Sequence, residues 1–249
     1  MEQFKSNWES HNHSLEILER VYQYDSFLDS LKVICDMGCG AGLDVKWWAT
    51  LETREDKPEP RNYKVYAVDQ VDRLDPEVKE LENVIPVIGD FEQRIIPIKV
   101  DFIWAHDSLQ YALNPLETLK NWSLQMNKDG MLLISVPQNL VMMHNRPIFR
   151  AFSHVYHNFS IPSLLYMLAV NGFDCRDAYV RKLPNDDWIN IAVYKNSDPM
   201  DPKKVGLYEL AEKELLHPSA VNSINSFGYM RQEDLIYPWL DRDFYQFRH

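Results

Sequence analysis

The feature that most constrains this chain is a glycine turn placed between a strand and a helix. Lys32 to Cys35 reads as a short apolar strand ending at Asp36, and Gly38-Cys39-Gly40-Ala41-Gly42 follows. Leu43, Trp47, Trp48 and Leu51 then recur at helical spacing. Such a turn lets the main chain reverse tightly and approach a ligand without a side-chain clash. A tight structural turn has the same signature, so its company has to decide between the two readings.

Three further apolar runs end in polar or glycine residues. Tyr63 to Val68 ends at Asp69, Val84 to Ile88 at Gly89-Asp90-Phe91, and Val100 to Ala105 at His106-Asp107. Near-continuous apolar runs suit strands covered by helices on both faces. Asn114, Pro115 and Glu117 make a helix start, with cap, first-turn proline and capping carboxylate. Leu116, Leu119, Trp122 and Met126 form that helix's buried stripe, and Lys128-Asp129-Gly130 reads as its stop. Met131 to Val136, closed by Pro137, is a fifth strand. Ser160 to Val170 reads as a helix stopped at Asn171-Gly172, and Phe173 onward and Trp188 to Tyr194 as two more strands. This β-α alternation predicts one α/β domain over 32–197, a doubly wound, mostly parallel sheet.

Two flanks complete the organisation. Residues 1–31 form an N-terminal helical cap in which Leu15, Leu18, Val21, Leu28 and Leu31 keep helical spacing. Residues 198–249 form a C-terminal extension: a helix over about Val205 to Leu216, then a tail with Phe227, Tyr229, Tyr237, Trp239, Phe244, Tyr245 and Phe247. That much aromatic surface is expected to pack on the body of the chain or to form a homodimer face.

Composition removes several classes. Lys and Arg number 26 and Asp and Glu 37, a formal charge of −11. So acidic a surface repels phosphate backbones, and no basic run offsets it, so nucleic acid is not expected as a partner. No apolar run reaches membrane-spanning length and the first residues lack an apolar leader core, which predicts a cytoplasmic protein without a membrane partner. Cys35, Cys39 and Cys175 are too few for a disulfide framework and have no metal-ligand spacing. We read them as reduced, small and hydrophobic, and expect no metal.

In open α/β sheets ligands bind beyond the carboxyl ends of the strands. A carboxylate at Asp69 can accept hydrogen bonds from two ribose hydroxyls. One at Asp90 can meet an adenine amino group, and Phe91 can pack the ring. Each has an ordinary alternative, a turn aspartate or a core phenylalanine. His106, His154 and His157 are the candidate bases, because imidazole titrates near neutral pH.

The segment Asp36 to Gly42 resembles the first motif of the class I S-adenosylmethionine-dependent methyltransferases. Val65 to Asp69, Gly89-Asp90-Phe91, Val100 to Tyr111, Asn127 to Pro137 and Asn171-Gly172-Phe173 are similar to that family's later motifs, in the same order. The texture of the chain is also similar to methyltransferases of marine cyanobacterial phages. The resemblance implies a Rossmann-like, seven-stranded sheet that binds S-adenosyl-L-methionine. Asp36, Gly38, Gly40 and Gly42 would frame its methionyl part, Asp69 its ribose, Asp90 and Phe91 its adenine, and His106 would lie near the sulfonium. The fourth strand ends His106-Asp107-Ser108-Leu109, not in the Asn/Asp-Pro-Pro-aromatic signature of enzymes that methylate nucleobase amino groups in DNA. A small-molecule acceptor, or a protein, is therefore expected. Two other readings stand beside this one. The chain could keep the fold as a catalytically silent cofactor- or partner-binding module. It could also be an NAD-dependent oxidoreductase, although its Gly-x-Gly-x-Gly spacing is not the G-x-G-x-x-G of dinucleotide folds and no second catalytic domain is visible.

Overall fold

A computed structural model describes residues 13–53, 59–137, 156–181 and 188–237. Seven strands form one sheet: β1 (Val33–Met37), β2 (Lys64–Asp69), β3 (Val84–Ile88), β4 (Val100–His106), β5 (Met126–Pro137), β6 (Phe173–Arg181) and β7 (Trp188–Lys195). Their order is β3-β2-β1-β4-β5-β7-β6. β1 to β5 pair in parallel, and β7 is antiparallel to both β5 and β6. The strand order reverses at β1, so a crevice opens between β1 and β4 above their carboxyl ends.

Alternation along each strand sorts its residues onto two covered faces. One face carries Ile34, Val65, Phe102, Trp104 and Leu133. It lies under Ile17, Leu18 and Val21 of a helix over 13–21, under Leu28 of helix Asp25–Ser30, and under Val45 and Trp48 of helix Leu43–Ala49. The other carries Cys35, Tyr66, Ile103 and Leu132 and packs on helices Pro115–Gln125 and Ile161–Val170 through Leu119, Trp122, Leu164 and Leu168. Burial of both faces explains why β1, β4 and β5 read as unbroken apolar runs. The helix starts also form where their caps point: the Asn114 side chain accepts from Glu117 N, and Ser160 from Ser163 N.

Three expectations need correction. The helix after Asn114 ends at Gln125, not at Lys128-Asp129-Gly130, and Met126 already belongs to β5. The pairing of β5 with β4 jumps from Val100↔Met126 to Phe102↔Met131, and Asn127 Nδ2 donates to Asp101 Oδ1 across the irregularity at 2.8 Å. Tertiary pairing has overridden a local stop signal. The C-terminal helix is shorter than expected, Leu207–Glu212, and a second helix follows, Pro218–Phe227, capped by His217 and stopped at Gly228. Of the tail aromatics, Tyr237 is buried but Phe227 and Tyr229 are exposed, and Arg231 lies over the Phe227 ring at 4.6 Å. Trp239, Phe244, Tyr245 and Phe247 fall outside the described residues.

The described part of the extension joins the far end of the sheet. Cys175 bridges to Leu216 beside the outer edge of β6, and Cys175 N donates to Leu215 O at 2.9 Å. Leu210, Leu216, Ala220, Ile224 and Tyr237 enter the same core as β6. Phe173, two residues before Cys175, pairs with Lys195 at the end of β7. That is the amino-terminal end of the parallel strands, opposite the crevice. All three cysteines are free thiols. No described helix is long and apolar enough to cross a membrane.

Candidate functional site

The glycine turn is tied to the end of β2. Gly38 N and Cys39 N both donate to Val68 O, at 2.8 and 2.9 Å. Gly40 N donates to Asp69 Oδ2 at 2.9 Å, and Val71 N to Asp69 Oδ1 at 3.1 Å. A Cβ on Gly38 would fall 2.5 Å from the Cβ of Ser108, and one on Gly42 would fall 2.2 Å from Leu74 Cδ1. Those two glycines answer to the protein's own packing. Gly40 differs: its φ is +54° and a Cβ there would meet nothing within 4 Å. The space that a side chain there would take is open.

Beneath the turn lies a group of carboxylates. Asp36, at 3% exposure, projects from the crevice end of β1, and no described residue hydrogen-bonds to its side chain. Burial, then Asp44 and Asp69 beside it, push its carboxyl well above the usual carboxylate range. Asp44, in the first turn of helix Leu43–Ala49, accepts from Ser14 Oγ at 2.6 Å and from Trp104 Nε1 at 2.9 Å. Asp69 also receives Arg73, whose Nη2 is 3.0 and 3.2 Å from its two oxygens. Asp69 therefore performs the work of a turn aspartate at the end of β2. Burial, Asp36 and Asp69 also push up the Cys39 thiol, which disfavours a thiolate.

His106 closes β4 on the same face as Asp36. It is buried and lies between two indoles, Trp104 at 5.9 Å and 10° and Trp188 at 5.3 Å and 11°. His13, the first described residue, lies in the N-terminal helix, stacks on Trp188 at 4.9 Å and sets its Nδ1 2.8 Å from His106 Nε2. Ser135 is level with His106 on β5, and Asn190 is level with Ser135 on β7. Ser135 Oγ donates to Asn190 Oδ1 at 2.6 Å, so a buried polar row crosses the upper sheet under that helix.

The other expected residues are more scattered. Asp90 is exposed, and its Oδ1 accepts from Glu92 N at 2.9 Å. Phe91 is 6% exposed, packs against Trp122 and accepts from its indole at its own carbonyl, 2.7 Å away. Both geometries match the ordinary turn and core readings. His157 lies in the segment held to the loop after β4: its backbone N donates to Gln110 O at 3.2 Å, and its Nε2 lies 3.3 Å from Leu113 O. It is not joined to His106. His154 lies outside the described residues.

Several participants were not singled out from the sequence: His13, Ser14, Asp44, Arg73, Trp104 and Trp188. Asp44 carried a signal, standing directly after the glycine turn. The loop after β4 adds others. Asp107 has a φ of +54° and accepts from Gln110 Nε2. The Tyr111 phenol is pushed up to about 12 by burial and by Asp107, which keeps its proton in place as a donor. Ser108 Oγ and Gln110 Oε1 are buried without a hydrogen-bond partner. Among the described residues no group of three His, Cys, Asp or Glu side chains could hold a metal.

No family model and no curated protein matches the chain. Solved structures do. Magnesium protoporphyrin IX methyltransferase of Synechocystis, with S-adenosylhomocysteine bound, matches at a TM-score of 0.55 and 17% identity, over 75% of this chain and 84% of that one. The chain has the fold of the class I methyltransferases. The N-terminal domain of EvdMO1, solved with S-adenosylhomocysteine and D-fucose, matches at 0.53 and 14% identity, over 72% of this chain and 82% of that one. The 1,6-didemethyltoxoflavin-N1-methyltransferase of Burkholderia thailandensis matches at 0.50 and 19%, over 66% and 71%. The narrower likeness to phage methyltransferases finds no support in these structures.

Proposed function

We propose that the chain is an S-adenosyl-L-methionine-dependent methyltransferase acting on a small-molecule acceptor, and that the crevice over β1, β2 and β4 holds the cofactor. The observation that carries this reading is Asp36. A buried carboxylate without a hydrogen bond, beside two other carboxylates, is poor local design unless a cation completes it. S-adenosylmethionine carries an ammonium and a sulfonium. Gly40 offers main chain with no side chain in the way, and the Asp69 carboxylate is held beside it by the Gly40 amide. Ser108 and Gln110 supply unpaired polar atoms at the loop after β4. Asp36, Gly38, Gly40 and Gly42 would frame the methionyl end, Asp69 the ribose, and Asp90 and Phe91 the adenine. When bound, the group supplies an electrophilic methyl. His106 would take the acceptor's proton, with His157 as a second candidate base held beside Gln110. The three structural relatives named above are methyltransferases or were solved with the demethylated cofactor, which favours the same ligand here.

Calorimetry with S-adenosylmethionine, S-adenosylhomocysteine and NAD tests the proposal. The first two should bind and NAD should not compete. Asp36 holds its proton to unusually high pH, so binding a cation beside it should release protons, and the observed enthalpy should vary with the ionisation enthalpy of the buffer. No heat from either sulfur compound at millimolar concentration would overturn the reading.

A further inference from the structure

We infer that Arg73 stands in for the ribose of the cofactor in the ligand-free protein, so that a bound ligand must give Asp69 a pair of vicinal hydroxyls in exchange for the guanidinium. This rests on the methyltransferase reading above and adds a specificity-determining residue to the same site.

The carboxylate of Asp69 is fully occupied. Its Oδ1 accepts from Val71 N at 3.1 Å and from Arg73 Nη2 at 3.0 Å. Its Oδ2 accepts from Gly40 N at 2.9 Å and from the same Nη2 at 3.2 Å. An ionised carboxylate has about four lone-pair sites, so none is left for two hydroxyls. The Gly40 and Val71 donors are main chain and stay where the turn and the end of β2 put them. Arg73 is the donor that can leave. Its side chain is 60% exposed, and among the described residues it hydrogen-bonds to Asp69 alone. An ion pair so open to water is weakly held. Its departure frees one site on each oxygen. A vicinal diol offers two O–H donors and fills both. A sugar without those hydroxyls fills neither, and would leave a carboxylate only 10% exposed short of donors.

The chain around Arg73 lets its side chain move by itself. Val71 N is held by Asp69, Leu74 is buried close over Gly42, and Asp75 N donates to Ala41 O at 3.0 Å. Release of the guanidinium is therefore a change of rotamer between anchored neighbours. Its charge also acts on both sides of the site. Burial, then Asp36 and Asp69, push up the Cys39 thiol; burial, then Asp107, push up the Tyr111 phenol; and Arg73 opposes both shifts. The guanidinium thus lies near the glycine turn and near the loop after β4, where an adenosyl group seated on Asp69 would lie.

Calorimetry on wild type, Arg73→Ala and Arg73→Gln tests this. The probes are S-adenosylhomocysteine, adenosine and the dideoxyadenosine that lacks both hydroxyls of the vicinal pair. Each variant should bind S-adenosylhomocysteine and adenosine about two- to fivefold more tightly than wild type does, the worth of an exposed ion pair that no longer has to break. Dideoxyadenosine has nothing to exchange for the guanidinium and should gain nothing from either substitution. An equal gain for adenosine and dideoxyadenosine would make Arg73 a steric obstacle and overturn the exchange. Unchanged or weaker binding of S-adenosylhomocysteine by both variants would overturn it too, because Arg73 would then be idle or would itself hold the ligand. If S-adenosylhomocysteine binds none of the three proteins, the methyltransferase reading falls and takes this inference with it. If it binds all three alike, only the role of Arg73 falls.

Discussion

Asp36 and the glycines set the behaviour of single residues at the crevice. Folded Asp36 keeps its proton to higher pH than the unfolded chain does. The ligand-free fold therefore loses stability as pH rises through the folded pKa, and keeps that stability fully below the unfolded value. Asp36→Asn removes the buried charge. It should stabilise the empty protein relative to wild type, by more as pH rises through the folded pKa of Asp36, because the amide never ionises. It should also weaken S-adenosylmethionine about tenfold or more by deleting a charge-assisted contact. Melting curves across pH 5 to 9, with and without the cofactor, check both halves; a variant that only destabilises would make Asp36 a packing residue. The glycines should separate in the opposite sense. Gly38→Ala drives a methyl into Ser108 and should lower the melting temperature more than Gly40→Ala, which meets no atom and bears only the strain of a positive φ, about 1–2 kcal/mol. Gly40→Ala should instead lose cofactor affinity beyond that strain, read by calorimetry on the folded variant.

At the scale of elements, the helix over 13–21 connects the core to the crevice. Ser14 is fully buried and its hydroxyl donates to a carboxylate. Hydrogen bonds to charged groups are worth about 1.5–3 kcal/mol. Ser14→Ala should therefore loosen that helix, and hydrogen exchange at residues 15–21 should speed while β4 and β5 stay protected; unchanged exchange would show that Ile17 and Leu18 alone dock it. This element also marks where sequence reading stops. The strands, the Asn114 cap and the polar strand ends were legible because their signals are local: alternation, cap chemistry and glycine punctuation lie within a few residues. Trp188 read only as the start of a strand, and His13 only as part of the N-terminal helical cap. Their meaning comes from His106, 93 residues from His13, and no local pattern carries a contact that distant. The same holds for Met126, whose pairing with Val100 ends a helix that the sequence would have continued. The second C-terminal helix is a different case. His217 and Pro218 at its start and Gly228 at its end are local signals, obscured by the aromatic texture that follows them.

For the whole molecule, the question is what the C-terminal extension does for a crevice that its described residues do not touch. Its described residues close the outer edge of β6 and fill the core at the end of the sheet away from the glycine turn. They do not roof the cofactor crevice. Leu210, Leu215, Leu216, Ala220, Ile224, Leu235 and Tyr237 are all buried there. Each large apolar side chain contributes about 1.5–3 kcal/mol when buried, so together they rival the roughly 5–15 kcal/mol that holds a typical domain folded. Cutting the chain after Ser197 should therefore abolish the cooperative melt, an outcome that says nothing about binding. Leu216→Ala asks the sharper question. Truncating a fully packed leucine costs about 2–5 kcal/mol, which in a chain of this length lowers the melting temperature by roughly 5–15 °C. The crevice lies at the opposite end of the strands, and sites that share no contacts behave additively. S-adenosylhomocysteine should therefore bind folded Leu216→Ala with unchanged affinity at a temperature well below its melt. A loss of affinity matching the loss of stability would mean that the sheet transmits strain from its far edge to the glycine turn, and that the extension belongs to the working site rather than only to the fold.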